Sequence, residues 1–169
     1  MQVPPIPQDE AERQAALDRT GLVTASRNAD LQDIVELAAT ICDVPIALVS
    51  LVDHDRQFFK AKVGLDAQET PRDISFCGHA ILGTEPFIVP DALADERFAD
   101  NPLVVGPPNI RFYAGVPLVV DGSHVVGTLC VIDTRPRVPD ERMRDSLERL
   151  ARIARLHIQD YADRAARSK

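Results

Sequence analysis

The 169 residues predict an α+β fold, and three observations carry that prediction. Helical periodicity marks the regions near both ends of the chain. Between them, apolar runs follow one another in pairs separated by short polar turns. The second pair is joined by Asp121-Gly122, a dipeptide that accepts the positive φ of a tight hairpin. Helices enclosing strands that double back place the helices apart from a largely antiparallel sheet.

In chain order, residues 9–18 carry Ala11, Ala15, Ala16 and Leu17 among charges and predict a short helix, broken near Thr20 and Gly21, that packs on the domain edge or on a partner. Residues 30–42 place Leu31, Ile34, Val35, Ala38 and Ile41 at three- and four-residue spacing, with Asn28 or Asp30 as the cap. This second helix is expected to bury a full face. Residues 46–52 are almost continuously apolar, as in a central strand buried on both sides. Residues 57–63 alternate, with Phe59, Ala61 and Val63 on one side and Lys60 and Lys62 on the other, which predicts a half-exposed hairpin partner. The stretch 64–109 is irregular, with only 87–89 strand-like; a connection this long inside a compact domain is usually functional. Residues 112–120 and 125–132 form the second strand pair. Residues 139–166 predict a long helix with Pro139 in its first turn. Acid-to-arginine pairs four apart, such as Asp160/Arg164, suit its solvated side. Met143, Leu147, Leu150, Ala154, His157 and Tyr161 form a seam at alternating steps of four and three. A helix of that length, roughly 40 Å at the usual rise, exceeds one small sheet, so its distal part is expected to meet a second copy of the chain.

This pattern is read as an N-terminal helical segment, 1–29, followed by one domain, 30–169. A net charge of -7 argues against a general affinity for nucleic acid or anionic membranes. No apolar run has membrane-spanning length and the N-terminus lacks a signal-type apolar core, which gives a cytoplasmic expectation. Cys42, Cys77 and Cys130 stand singly, so reduced thiols rather than a disulfide framework are expected. His54, His79, His124 and His157 fall on separate elements and do not read as metal ligands.

Two constellations could carry chemistry. The first is Cys77 with His79, because an imidazole beside a thiol favours the thiolate; the other reading is a small buried cysteine and a hydrogen-bonded core histidine. The second is a polar set, Arg72, Asp91, Asp95, Arg97, Asn101 and Arg111, interleaved with Phe76, Phe98, Phe112 and Tyr113. An apolar cleft with a few fixed polar groups suits small-molecule recognition, and arginine can clasp a carboxylate or phosphate in two contacts. The same charges could instead pin an irregular segment by satisfying its backbone.

Seven ordered stretches resemble a bacterial GAF subfamily of sensor kinases, cyclic-dinucleotide enzymes and stand-alone proteins. They are Val49-Ser-Leu-Val-Asp53, Arg56-Gln-Phe-Phe-Lys60, Glu69-Thr-Pro-Arg72, Ser75-Phe-Cys-Gly-His-Ala-Ile81, Arg97-Phe-Ala-Asp-Asn-Pro102, Ile110-Arg-Phe-Tyr-Ala-Gly115 and Gly127-Thr-Leu-Cys-Val-Ile-Asp133. The resemblance implies a PAS-related antiparallel sheet of five to six strands, a ligand cleft roofed by the middle segment, and helices that often build a dimer. It names no ligand or cofactor, since a fold does not fix a function. The branch that reduces free methionine sulfoxide needs cysteines in the roof, and 91–109 contains none. Bilin-binding relatives commonly have Cys directly followed by His, whereas here Gly78 separates Cys77 from His79. The Asn-Lys pair of the cyclic-nucleotide branch is absent. The expectation is a non-enzymatic module that senses an unidentified small molecule and signals through a helical dimer or a partner protein. A thiol-based redox enzyme or sensor centred on Cys77 is the alternative, and a ligand-free dimerisation scaffold is a third reading.

Overall fold

The computed structural model describes residues 1–25 and 28–168. Six strands, β1 (Ile46–Val52), β2 (Arg56–Val63), β3 (Glu69–Pro71), β4 (Phe87–Val89), β5 (Phe112–Val120) and β6 (His124–Asp133), form one antiparallel sheet in the order β3-β2-β1-β6-β5-β4. The helices are α1 (Glu10–Thr20), α2 (Ala29–Cys42), α3 (Phe76–Ala80), α4 (Pro102–Val105) and α5 (Glu141–Arg167). Because side chains of a strand alternate, β1 feeds two cores. Ala47, Val49 and Leu51 join α1, α2 and α5 on one face; Ile46, Leu48 and Val52 join the middle segment on the other. The sheet is therefore a partition between a helical layer and a roof. Among the described residues, no helix is long and apolar enough to cross a membrane.

The α2 cap is Asn28, whose Oδ1 accepts the Leu31 amide at 2.9 Å. Its buried line ends on Cys42 rather than Ile41, which is exposed. Both strand pairs form, and Asp121 and Gly122 take φ of 54° and 81° in the hairpin turn. Strand β2 departs from the expected alternation. The register against β1 shifts between Val49, opposite Ala61, and Ser50, opposite Phe59, leaving Lys60 as the extra residue of a bulge. Phe59 and Ala61 consequently face opposite cores. Lys60 is buried and donates to the Ala25 carbonyl at 3.0 Å. The middle segment is also more regular than its composition suggests: Glu69–Pro71 adds an edge strand, and α3, α4 and two 3-10 turns build the roof.

The long helix starts after Pro139, with Asp140 as the cap whose Oδ1 accepts the Met143 amide at 2.8 Å. Of its acid-to-arginine pairs, Asp160–Arg164 closes to 2.9 Å. The buried seam follows a straight helix and passes through Ile158 and Ala162 instead of His157 and Tyr161. Its distal half is covered from within the chain, by α1 and α2, so helix length alone does not require a second copy. Ala16, Leu17 and Leu22 of the N-terminal segment belong to the same core as α2 and α5.

Strand β6 passes β1 closely at Gly127, where a Cβ would collide with the Ser50 carbonyl oxygen and meet the Leu51 Cα at 2.9 Å. Backbone cannot yield there without parting the central strand pair. Gly127→Ala is expected to lower unfolding stability by about 3 kcal/mol, the upper range for overpacking, as read by denaturant titration.

A roofed cavity as the candidate functional site

Between the sheet and the roof lies a cavity of about 390 Å³. Its apolar wall comes from inward positions of β1, β2 and β6, including Leu48, Phe59 and Ile132, closed by Phe76 of α3, by Leu103 of α4 and by Leu65 and Ile110 of the connecting loops. The local sequence sets the roof. Ser75 caps α3, its Oγ accepting the Gly78 amide at 3.0 Å and donating to the Arg72 carbonyl at 2.6 Å, which presents Phe76 and Cys77 to the sheet. Tyr113 lies over Gly115, where a Cβ would collide with the phenol hydroxyl.

Polar groups form a strip across this apolar surface. Ser50 Oγ donates to Gln57 Oε1 at 3.2 Å, and Gln57 Nε2 donates to Thr70 Oγ1 at 2.6 Å. Cys77 Sγ lies 3.1 Å from both the Tyr113 hydroxyl and Thr128 Oγ1. Cys77 and Cys130 both line the cavity. Burial alone would raise the Cys77 thiol, but hydrogen bonds with Cys130, Thr128, Tyr113 and Ser50 outweigh it and bring the group from 9.0 down to about 6. Cys130 and Tyr113 move the other way, pushed up by burial and by the charge on Cys77. Sequence spacing left Cys77 without a neighbouring thiol; the fold supplies Cys130 by setting α3 against β6.

Of the residues expected to hold a ligand, Phe76, Cys77 and Tyr113 line the cavity. The others do not converge on it. Arg72 Nη1 donates to Glu10 Oε1 at 2.6 Å and to the Asp53 carbonyl at 3.1 Å, tying the roof to α1. Asp91 accepts the Leu93 amide, capping a 3-10 turn. Asp95 pairs with Arg97 at 2.7 Å, and the Arg97 guanidinium lies over the Phe87 and Phe98 rings. Asn101 caps α4 and donates to the Ile74 carbonyl at 3.0 Å. Arg111 donates to the Val104 and Ile110 carbonyls at 2.8 and 3.0 Å. His79 packs edge-on against Phe98 and its Nε2 meets the Gln2 carbonyl at 3.2 Å, with burial lowering its pKa. Phe98 stacks on Phe76 at 4.0 Å, and Phe112 lies on the opposite face among the helices. Loop carbonyls and amides without ladder partners take the side chains of Arg72, Asp91, Asp95, Asn101 and Arg111 as substitutes, so these side chains pin the roof, while Asp91, Asp95 and Arg97 also line a separate open depression beside Gln2 and Pro90.

Gln57, Thr70 and Cys130 line the cavity without having stood out in the sequence. A signal was present: Ser50, Thr128 and Cys130 occupy inward positions of strands otherwise filled by Leu48, Val52 and Ile132. Polar groups at such positions need partners, and their partners face the same space.

Comparison with known proteins agrees with this architecture. A family model described as GAF domain matches residues 26–158. A cyclic di-GMP phosphodiesterase of Pseudomonas aeruginosa is 48% identical over 160 residues, covering 93% of this chain. The chain spans only 27% of that relative's length. Among solved structures, free methionine-R-sulfoxide reductase from Neisseria meningitidis, in complex with its substrate, is similar with a TM-score of 0.65 at 20% identity, over 90% of each chain. The blue-light absorbing form of the Thermosynechococcus elongatus PixJ GAF domain also has a TM-score of 0.65, at 16% identity over 91% of this chain and 94% of its own. At these identities the structural matches concern the fold alone. With the family model covering most of the chain and the same sheet recurring in these structures, the protein belongs to the GAF domain family.

Proposed function

We propose that this GAF domain is a non-catalytic sensory unit of bacterial signalling and that its ligand is an uncharged small molecule held in the roofed cavity. The cavity carries this reading: its volume falls within the range of small-molecule sites, and its wall is apolar with one strip of hydrogen-bonding groups, its one charged lining residue being the exposed Asp66. Among the described residues, no lysine or arginine lines it. A cyclic dinucleotide, with its two phosphate charges, would lose hydration there without a countercharge. The substrate named for the Pseudomonas aeruginosa relative is thus a poor match for this cavity, and in a protein of that kind the domain would regulate rather than bind that substrate.

Ligand binding would favour one arrangement of the roof over another. Arg72 and Glu10 offer a route from the roof to α1 and the helical layer. For the output we retain a homodimer or a signalling partner, in the cytoplasm, engaging the exposed Leu37, Ile41, Ile153 and Leu156 of α2 and α5. Mass spectrometry of molecules extracted from the purified protein is expected to find a neutral compound that Ala67→Phe, which fills the cavity, no longer retains. Tight calorimetric binding of cyclic di-GMP, undiminished in Ala67→Phe, would overturn the reading.

A further inference from the structure

We infer that residues 2–10 are a strap that latches α3 shut over the cavity, so that release of this N-terminal segment and opening of the roof are one event. The inference uses the cavity of the proposed sensory unit but not the identity of its ligand.

The latch sits on α3 itself, the helix that presents Phe76 and Cys77 to the sheet. Gln2 donates its amide to the Arg97 carbonyl at 3.0 Å, and its own carbonyl accepts from His79 Nε2 at 3.2 Å. Two residues on, Pro4 is buried, although Val3 and Ile6 near it are exposed. Its seat is Gly78, where a Cβ would lie 2.8 Å from Pro4 Cγ and 3.0 Å from Pro4 Cβ. The glycine that parts Cys77 from His79 thus leaves the room that Pro4 fills. At the other end of the strap, Glu10 Oε1 and Oε2 accept from Arg72 Nη1 and Nη2 at 2.6 and 3.1 Å. The two grips fall on either side of Ser75, the cap of α3, and of Phe76 behind it.

The sequence of the strap suits this use. Pro4, Pro5 and Pro7 fix their own φ and hold the residues before them, Val3, Pro4 and Ile6, in extended backbone. Such a segment loses little entropy on docking, and it passes a displacement on instead of absorbing it. It runs directly into α1, whose first amide, that of Glu10, donates to the Pro7 carbonyl at 3.2 Å, and α1 packs against α5. Outward movement of α3 has to break the Gln2 and Pro4 contacts. Anything that draws residues 2–4 away removes the same contacts from α3. The two changes share one free energy, so each favours the other.

The test treats the native full chain with N-ethylmaleimide and follows each cysteine by peptide mapping. Cys77, buried between α3 and the sheet, reports opening of the roof; Cys42, in the helix-side core, reports unfolding of the whole domain. In Pro4→Ser, Cys77 is expected to react about tenfold faster, the scale of two lost buried methylenes, while Cys42 keeps its rate. Gln2→Pro, which has no amide to give to the Arg97 carbonyl, is expected to act in the same direction. Val3→Ser, at an exposed position of the strap, is expected to leave both rates unchanged. Equal acceleration of Cys42 and Cys77 would reduce the strap to a contributor to overall stability, and an unaltered Cys77 rate in both latch variants would show that it does not hold α3; either result overturns the proposal. Unaltered rates in a protein that still releases a cavity ligand would remove this inference alone and leave the sensory reading standing.

Discussion

Arg72→Met is expected to destabilise the domain by about 3 kcal/mol, the lower end for breaking a buried ion pair. Arg72 is only 3% exposed and holds the Glu10 carboxylate together with the Asp53 and His54 carbonyls. Methionine preserves much of the side-chain volume but leaves those acceptors short of a donor. Arg13, itself buried, still reaches Glu10 Oε2 at 2.8 Å, which keeps the loss toward the lower end. Chemical denaturation of wild type, Arg72→Met, Glu10→Gln and the double variant would isolate the pair. Additive losses would mean that Arg72 matters only through its carbonyl contacts.

The same triad predicts an acid transition. Burial raises the Glu10 carboxyl, but hydrogen bonds and charge from Arg13 and Arg72 prevail and lower it from 4.5 to about 2. Its folded pKa lies below its unfolded one, so the stabilisation is complete above about pH 4.5 and disappears as pH falls toward about 2. The full shift corresponds to roughly 3 kcal/mol, which solvent screening at this partly open site reduces to about 2. Stability measured from pH 6 to pH 2.5 should fall less steeply in Glu10→Gln. An unchanged slope would remove Glu10 from the acid transition.

What the sequence disclosed followed from short-range rules. The positive-φ turn at Asp121-Gly122, the Asn28 cap and the apolar spacing of α2 each express a local preference that the tertiary structure respects. The bulge at Lys60 could not be read in that way, because one extra residue becomes meaningful only when Ser50 and Phe59 pair across the sheet. The distal seam of α5 was misplaced by one position because a straight helix does not keep a seven-residue repeat. At the site, Arg72, Arg97 and Arg111 drew attention as charged groups, but the irregular roof consumes them as hydrogen-bond donors. The groups that do line the cavity, Gln57, Thr70 and Cys130, come from different strands. Their proximity depends on sheet order, to which local sequence patterns give little access.

Phe98→Ala is expected to remove about 4 kcal/mol of stability, within the range for deleting a fully buried aromatic side chain. Phe98 is completely buried beneath the roof, stacks on Phe76 with ring centroids 4.0 Å apart, and meets the edges of His79 and Phe87. Arg97 closes over it with its guanidinium 5.3 Å from the ring centre while pairing with Asp95. Removing the ring would leave a void under that ion pair and free Phe76 from the stack that holds it against the cavity. Thermal and denaturant unfolding would record the stability loss, while hydrogen exchange should show increased opening at residues 76–80 and 97–105 before the central strands. If the loss instead reached β1 and β6 equally, roof and sheet would open as one cooperative unit, and a ligand could not reorder the roof without loosening the sheet. Greater opening confined to the roof would give the cavity a wall that can move independently, as a sensing mechanism based on two roof arrangements requires.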